Sequence, residues 1–488
     1  MVFASTKRKG FTANVSVYMF STMVTFILPV IVLPIYTRYL SPADFGIVVL
    51  FMMFGNLTAG LISCNLHFST YRLYFDHKND QAEFSKVNST NMIAITILFI
   101  IFGVIFTFFA QLISSYLFND LLSNKLIMWS YFSGCMDYFI LYMTSILTAQ
   151  IRSIAFTTVT IFRSILDVLL TFYFIFFESL TFMARINSIL IVQPLVVIAL
   201  LILLRNFIKP LFSIKRLNAS LALSIPVIPS NLIGMIQSSF DKLMLGNFIG
   251  ANSIGYYSFS ERFSRVLKLV SDSLGKVWDP LFLDLSSESS DNQKIIIDKF
   301  YKLIFLFMIV GLSVIYFSEE MIKILTTEAF YPSMYVTPVY VYFFLFSFIG
   351  KIAMNQITFA KKMIYLLPAS LFGIVINIVL NLLLIPKYGT IGAAIATSIS
   401  ALFINGIHLY FGMRLFPLPL EIFKIVNLYL LVILFTIIAY PLMNYEINFF
   451  LKILCKSVMI SLFFLIGLRL DYIKSADISR IYYSLKPN

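Results

Sequence analysis

Runs of about twenty apolar residues, separated by short polar stretches, recur along the whole chain. Each is long enough to cross the ~30 Å hydrocarbon layer of a bilayer as a helix. The windows predict about fourteen spans, near 15–36, 45–66, 91–113, 126–148, 155–177, 186–204, 220–240, 253–275, 300–318, 335–357, 363–385, 390–413, 423–441 and 449–468. The connecting stretches are too short for a soluble domain. The expected class is an all-α polytopic membrane protein.

One span breaks the apolar rule. Residues 253–284 carry Glu261, Arg262, Arg265, Lys268, Asp272, Lys276 and Asp279. All but Arg262 fall three or four residues apart. At about 100° per residue they line one stripe roughly 80° wide, with Arg262 at its edge. Phe263, Val266, Val270, Leu274 and Val277 fall on the opposite side. Inside a lipid-soluble protein, such a stripe must meet water or opposite charge.

Composition supports the class. Of 488 residues, 60% are hydrophobic and only 12% charged, and mean hydropathy is +0.91, more apolar than a soluble core of this length can bury. Cys64, Cys135 and Cys455 lie in apolar segments and read as small core residues, with no disulfide and no metal site. A net charge of +13 points to cytoplasmic anchors rather than nucleic acid. Lys7-Arg8-Lys9 precede a long apolar run that lacks a small-residue cleavage site, which fits a retained first span with a cytoplasmic N-terminus. That orientation places Arg72, Lys78, Lys86, Arg152, Arg205, Lys209, Lys215, Arg216, Lys361, Lys362, Arg414 and the basic tail on the inside. Arg38, Lys125, Arg185, Lys242, Lys323 and Lys387 are left outside. The excess of inside cations predicts an even number of spans with both termini cytoplasmic.

The sequence also repeats. Tyr39-Leu-Ser-Pro-Ala-Asp-Phe-Gly46 aligns with Phe248-Ile-Gly-Ala-Asn-Ser-Ile-Gly255, about 209 residues later. The same offset carries Arg152 onto Lys361, and the fifth span near Asp167 onto the eleventh near Asn377. The expected organisation is two pseudo-symmetric six-helix lobes, 1–210 and 211–415. Residues 416–488 add two transmembrane helices and a short basic tail. Two parallel-repeat lobes make an alternating-access transporter, with its site between them near the midplane.

Three stretches carry a family likeness. They are Pro34-Ile-Tyr-Thr-Arg-Tyr-Leu-Ser-Pro-Ala-Asp-Phe-Gly46, then Asp241-Lys-Leu-Met-Leu-Gly-Asn-Phe-Ile-Gly250 with Ile254-Gly-Tyr-Tyr257, and then Asn377-Ile-Val-Leu-Asn-Leu-Leu-Leu-Ile-Pro-Lys-Tyr-Gly-Thr-Ile-Gly-Ala-Ala-Ile-Ala-Thr397. Together they resemble the bacterial polysaccharide flippases, the O-antigen repeat-unit (Wzx-type) transporters of the MATE-like MOP superfamily. The resemblance implies a two-lobed inner-membrane protein that moves an undecaprenyl-diphosphate-linked oligosaccharide from the cytoplasmic to the periplasmic leaflet. It also implies membrane lipids, a polysaccharide polymerase and a chain-length regulator as partners, and no nucleic acid.

Several residues can be read on their own chemistry. Gly389, Gly392, Ala393 and Ala396 put small side chains on one face, which permits close helix approach. Pro386 and Gly389 should end one span and start the next with a tight turn. Pro29 and Pro34 in span one, and Pro226 and Pro229 in span seven, are either simple kinks or bending points of a gate.

Charges within spans carry the functional expectation. An ionised side chain at the bilayer centre costs about 2.5–3.5 kcal/mol even on lenient scales. A diphosphate substrate needs fixed cations to replace its lost hydration. Arg262, Arg265 and Lys268 are the first candidates, then Arg163 and Lys351. The family likeness adds Arg38, which otherwise reads with Asp44 as part of a capped, solvated turn. The opposing reading is self-neutralisation, since Glu261–Arg265, Lys268–Asp272 and Asp272–Lys276 all have helical pairing distance. Asp167 is either a coupling-ion site or the partner of Arg163 one turn earlier.

Enzyme classes find little support. There is no Gly-x-x-x-x-Gly-Lys-Ser/Thr phosphate loop and no His-Glu-x-x-His, and His67, His77 and His408 are scattered. No cofactor is expected. A cation-coupled multidrug exporter of the MATE type would share the architecture but would need an acidic or apolar cavity. A membrane polysaccharide polymerase or glycosyltransferase would need a large external loop bearing catalytic acids or arginines, and none of the loops is long enough.

Overall fold

The computed structural model describes residues 31–77, 79–179, 181–209, 211–288, 292–444 and 448–473, with isolated positions between 17 and 29. The Lys7-Arg8-Lys9 cluster, parts of the first expected span and the basic tail beyond residue 473 lie outside the described residues. Within them the chain is helical, with no strand. Among the described residues nine helices are long and apolar enough to cross a membrane, or ten if the bent pair Ile214–Val227 and Asn231–Phe248 is one span. The difference from the expected count has physical sources. Leu366–Leu415 contains two expected spans. The helices Asn124–Ala149 and Val266–Glu288 are too polar to be counted by hydropathy alone.

Packing divides the chain into two compact units. One is Met1–Gly255 with Leu325–Ala329; the other is Tyr256–Ile324 with Phe330–Asn488. This division follows contacts, whereas the boundaries at 210 and 415 follow the sequence repeat, so the two need not coincide. Unit 1 contains α1 (Pro42–Ile62), α2 (Leu66–Asp76), α3 (Gln81–Phe118), α4 (Asn124–Ala149), α5 (Ser153–Phe177), α6 (Phe182–Leu203), α7 (Ile214–Ser224) and α8 (Ile228–Phe248).

The first repeat motif is a helix start. Ser41 caps α1: its hydroxyl accepts the Asp44 N–H at 3.1 Å, while Asp44 accepts the Ser41 N–H at 2.9 Å. Pro42 occupies the first turn, where a missing N–H costs nothing. The second copy starts α9 (Ala251–Ser264), and the two copies meet reciprocally. A Cβ built on Gly46 would strike the Ala251 carbonyl, and one on Gly255 would strike the Pro42 carbonyl. Residues 42 and 251, and 46 and 255, are partners under the repeat offset, so the contact has the reciprocity of a local twofold. Gly46→Leu is therefore expected to cost about 1–3 kcal/mol or more through overpacking. Thermal unfolding of the purified variant checks this; an unchanged midpoint would mean that the contact is looser than it looks.

A similar close approach joins α1 to α4. Gly134 lies against the Gly55 backbone and Gly55 against the Ser130 carbonyl, while the Ser130 hydroxyl donates to the Phe51 carbonyl. Small residues let the backbones touch, and the hydroxyl bonds across them. In unit 2 the equivalent seam joins α9 to α12 (Ser333–Phe348). There Ser260 donates to the Ser333 carbonyl at 3.2 Å and Thr337 donates to Ser260 at 3.1 Å.

The 38 residues of α3 span ~57 Å at 1.5 Å per residue, well beyond the hydrocarbon thickness. Its first turn therefore projects past the membrane. There Glu83 receives Arg216 of α7 in a forked pair at 2.6 and 3.0 Å. That bond holds the Glu83 carboxyl down at about 2, so the pair persists into acidic conditions and is lost only as pH falls toward that value.

The remaining helices of unit 2 are α10 (Val266–Glu288), α11 (Gln293–Leu325), α13 (Gly350–Phe359), α14 (Leu366–Leu415), α15 (Ile422–Asn444) and α16 (Phe449–Arg469). The chain turns within α14 at Gly389, whose φ of 57° and ψ of −132° suit glycine. Beyond the turn, Gly392 presses on the Leu384 backbone, and Ala393 and Ala396 are fully buried. The Pro226–Pro229 region bends its helix pair by 48°. The C-terminal helices are bonded into unit 2. Tyr429 donates to the Leu345 carbonyl and Tyr316 to the Phe435 carbonyl, both at 2.8 Å. Phe305 packs on Gly467 and stacks on Phe463.

Candidate functional site

Unit 1 carries an open cavity of about 650 Å³. Five helices shape it, α2 through His67. Asn56 and Gly60 come from α1, Asp137 and Tyr138 from α4, Thr160 and Arg163 from α5, and Asn231 from α8. Helical spacing places these groups on inward faces while the opposite faces stay apolar; Phe162, Ile165 and Leu169 on α5 are exposed. The cavity is the size of a ligand site and its wall mixes amides, hydroxyls and one ion pair.

That ion pair is Arg163–Asp137, at 2.5 Å. Asp167 does not pair with Arg163, contrary to the expectation from spacing. It takes Arg185 from the next helix at 2.5 Å, and Ser188 donates to it at 2.8 Å. The two positions four residues apart on α5 thus reach different neighbouring helices. Arg185, expected in an outer loop, instead begins α6 and is only 21% exposed. Arg38 is exposed beside the capped turn that starts α1.

The expected eighth span proves longer and interrupted. The helix breaks at Arg265, whose N–H is shared between the Glu261 and Arg262 carbonyls at 3.1 and 3.3 Å, and it resumes to Glu288. The stripe survives the break. Arg262, Arg265, Lys268, Asp272 and Lys276 are exposed, while Ser264, Leu267, Gly275, Trp278 and Phe282 form the buried side. Glu261 pairs with Arg265 at 2.6 Å and Asp272 with Lys268 at 2.8 Å. Asp272 also faces Lys351 of α13 at 3.9 Å rather than Lys276. Asn355 donates to Asp279 at 3.0 Å. The structure thus brings Glu261, Arg265, Lys268, Asp272 and Lys351 onto one ladder in unit 2. The ladder leaves its arginine and lysine ends open: Arg265 is 53% and Lys268 61% exposed.

A second charged cluster escaped the sequence reading. Lys452 of α16 lies 2.7 Å from each oxygen of Glu319 on α11. Lys456 lies 2.5 Å from Glu320 and 3.6 Å from Glu319. All four side chains are at most 9% exposed. Asp137 is likewise not among the residues expected from the sequence. The signals were present: an acid in the middle of an apolar span, adjacent acids at the end of span nine, and two lysines one turn apart at the start of span fourteen.

The fold is shared with several solved structures. The structure matches one titled "Lipid II flippase MurJ, inward closed conformation" with a TM-score of 0.72 at 20% identity, covering 93% of this chain and 98% of that one. It matches an inward-facing multidrug resistance MATE family transporter at 0.64 and 15% identity, covering 82% and 97%. A MATE transporter of Vibrio cholerae matches at 0.51 and 14% identity, covering 85% and 98%. The chain belongs to the polysaccharide biosynthesis protein family, whose pattern spans residues 11–286. A comparison with curated proteins found no relative.

Proposed function

We propose that the protein is a flippase for a lipid-linked oligosaccharide, a polysaccharide repeat unit of the O-antigen kind carried on undecaprenyl diphosphate. It acts by alternating access in the bacterial inner membrane, with both termini cytoplasmic and two six-helix repeats as its moving parts. A polysaccharide polymerase and a chain-length regulator are its proposed downstream partners. The observation that carries this reading is the cavity of unit 1, whose mostly apolar wall is set with amides, hydroxyls and the Arg163–Asp137 pair, an arrangement suited to a glycan head group whose lipid tail stays in the bilayer. Family membership supports the same substrate class. Arg262, Arg265 and Lys268, with Lys351 behind them, are the proposed holders of the diphosphate.

A cation exporter would need an acid free to meet its cargo. Two in-span acids of unit 1, Asp137 and Asp167, each carry an arginine, which favours the flippase. Depleting the protein from its native cell is expected to accumulate the lipid-linked oligosaccharide in the cytoplasmic leaflet, measured as glycolipid inaccessible to external periodate. Unchanged glycolipid, with increased sensitivity to lipophilic cations, would favour export instead.

A further inference from the structure

The cavity in unit 1 holds an ion pair where a phosphate site would hold a cation without a counter-charge. Arg163 and Asp137 are 2.5 Å apart, and each side chain is about one-third exposed, 33% and 31%. Together they are neutral, so they set up little long-range attraction for a dianion. A phosphate reaching Arg163 would also meet the Asp137 carboxylate and be repelled. The pair suits another group. Arginine presents five N–H donors and a carboxylate two acceptor oxygens. The contact between them leaves further donors and acceptors side by side. A sugar hydroxyl is both donor and acceptor, and two adjacent ring hydroxyls match that arrangement.

The other polar groups on this largely apolar wall have the same chemistry. Asn56 on α1 and Asn231 on α8 are exposed, line the cavity, and have no hydrogen-bond partner among the described residues. Each amide offers two donors and an acceptor. Thr144 and Thr160 donate to carbonyls one turn earlier, both at 2.7 Å, and keep oxygen lone pairs for a ligand. Apart from the neutral pair, the wall's remaining titratable groups are His67 and Tyr138, which bond each other at 3.2 Å.

We infer that this cavity is a sugar subsite, in which Asp137 and Arg163 jointly grip adjacent hydroxyls of an uncharged sugar ring while the diphosphate binds elsewhere. The inference rests on the flippase reading. It is tested with the full chain in nanodiscs by saturation-transfer NMR, using neutral hexose and N-acetylhexosamine disaccharides and, separately, inorganic pyrophosphate. Sugar protons are expected to receive saturation from the wild-type protein. Asp137→Asn and Arg163→Gln are each expected to weaken the sugar by about tenfold, the loss of one charge-assisted hydrogen bond. The exchange Asp137→Arg with Arg163→Asp restores the pair and is expected to recover part of that loss. Unfolding midpoints confirm that each variant is folded. Two results overturn the assignment: no sugar signal with folded wild-type protein, or pyrophosphate binding that Asp137→Asn strengthens. Both leave the flippase reading standing. That reading fails separately if depletion leaves the glycolipid unchanged.

Discussion

Lys456→Met is expected to destabilise the protein by about 3–5 kcal/mol, the usual consequence of stranding one member of a buried ion pair. Lys456 is 1% exposed and lies 2.5 Å from Glu320, which is itself 8% exposed. Methionine matches the lysine stem in length but leaves the Glu320 carboxylate in apolar surroundings without its ammonium. Protein yield and the thermal midpoint in detergent should both fall. The double variant Glu320→Gln with Lys456→Met removes both charges and should recover most of the loss. Adding the Glu320→Gln single variant closes the cycle, and the double-variant loss minus the two single losses gives the coupling. Lys323→Ala is the control. That lysine also touches Glu319, at 2.8 Å, but is 46% exposed, so its loss should be worth no more than about 1 kcal/mol. A single variant as stable as wild type, or a double variant worse than the single, would show that the cluster does not hold α16 to α11.

The largest expected functional effect comes from the open end of the charged ladder. Replacing Arg262, Arg265 and Lys268 together by Ala should abolish surface polysaccharide at normal expression. Each charge-assisted bond to phosphate contributes about 1.5–3 kcal/mol, so losing three lowers affinity by about a thousandfold or more. Folding should suffer little, because Arg265 and Lys268 are more than half exposed and their partners Glu261 and Asp272 sit on the same helix run. Glu261→Gln is the informative opposite. It releases Arg265 from its intrahelical partner, so substrate binding should hold or tighten. Normal polysaccharide from a normally expressed triple variant would remove these cations from the mechanism.

These expectations also show what a sequence can and cannot reveal. Apolar spans were legible because a bilayer imposes one length and one composition on every helix that crosses it. The turn at Gly389 was legible because small and helix-breaking residues have few other uses there. The repeat was legible at Gly46 and Gly255, whose contact leaves no room for a side chain. Pairs within one helix, Glu261–Arg265 and Lys268–Asp272, followed from spacing alone. Pairs between helices did not. Asp167 finds Arg185 on the following helix, and Lys456 finds Glu320 across 136 residues. Periodicity says which face a charge occupies, not which helix lies opposite. The break at Arg265 was hidden for a related reason: no proline or glycine marks it, and the shared N–H at Arg265 is visible only in the backbone.

The most direct measurement is transbilayer movement in proteoliposomes that carry a lipid-linked oligosaccharide on one leaflet, followed by its accessibility to a membrane-impermeant lectin. Wild-type protein should equilibrate the glycolipid between leaflets, and the Arg262, Arg265, Lys268 triple alanine variant should not. Movement no faster than in protein-free vesicles, from folded wild-type protein supplied with its native glycolipid, would contradict the proposed function.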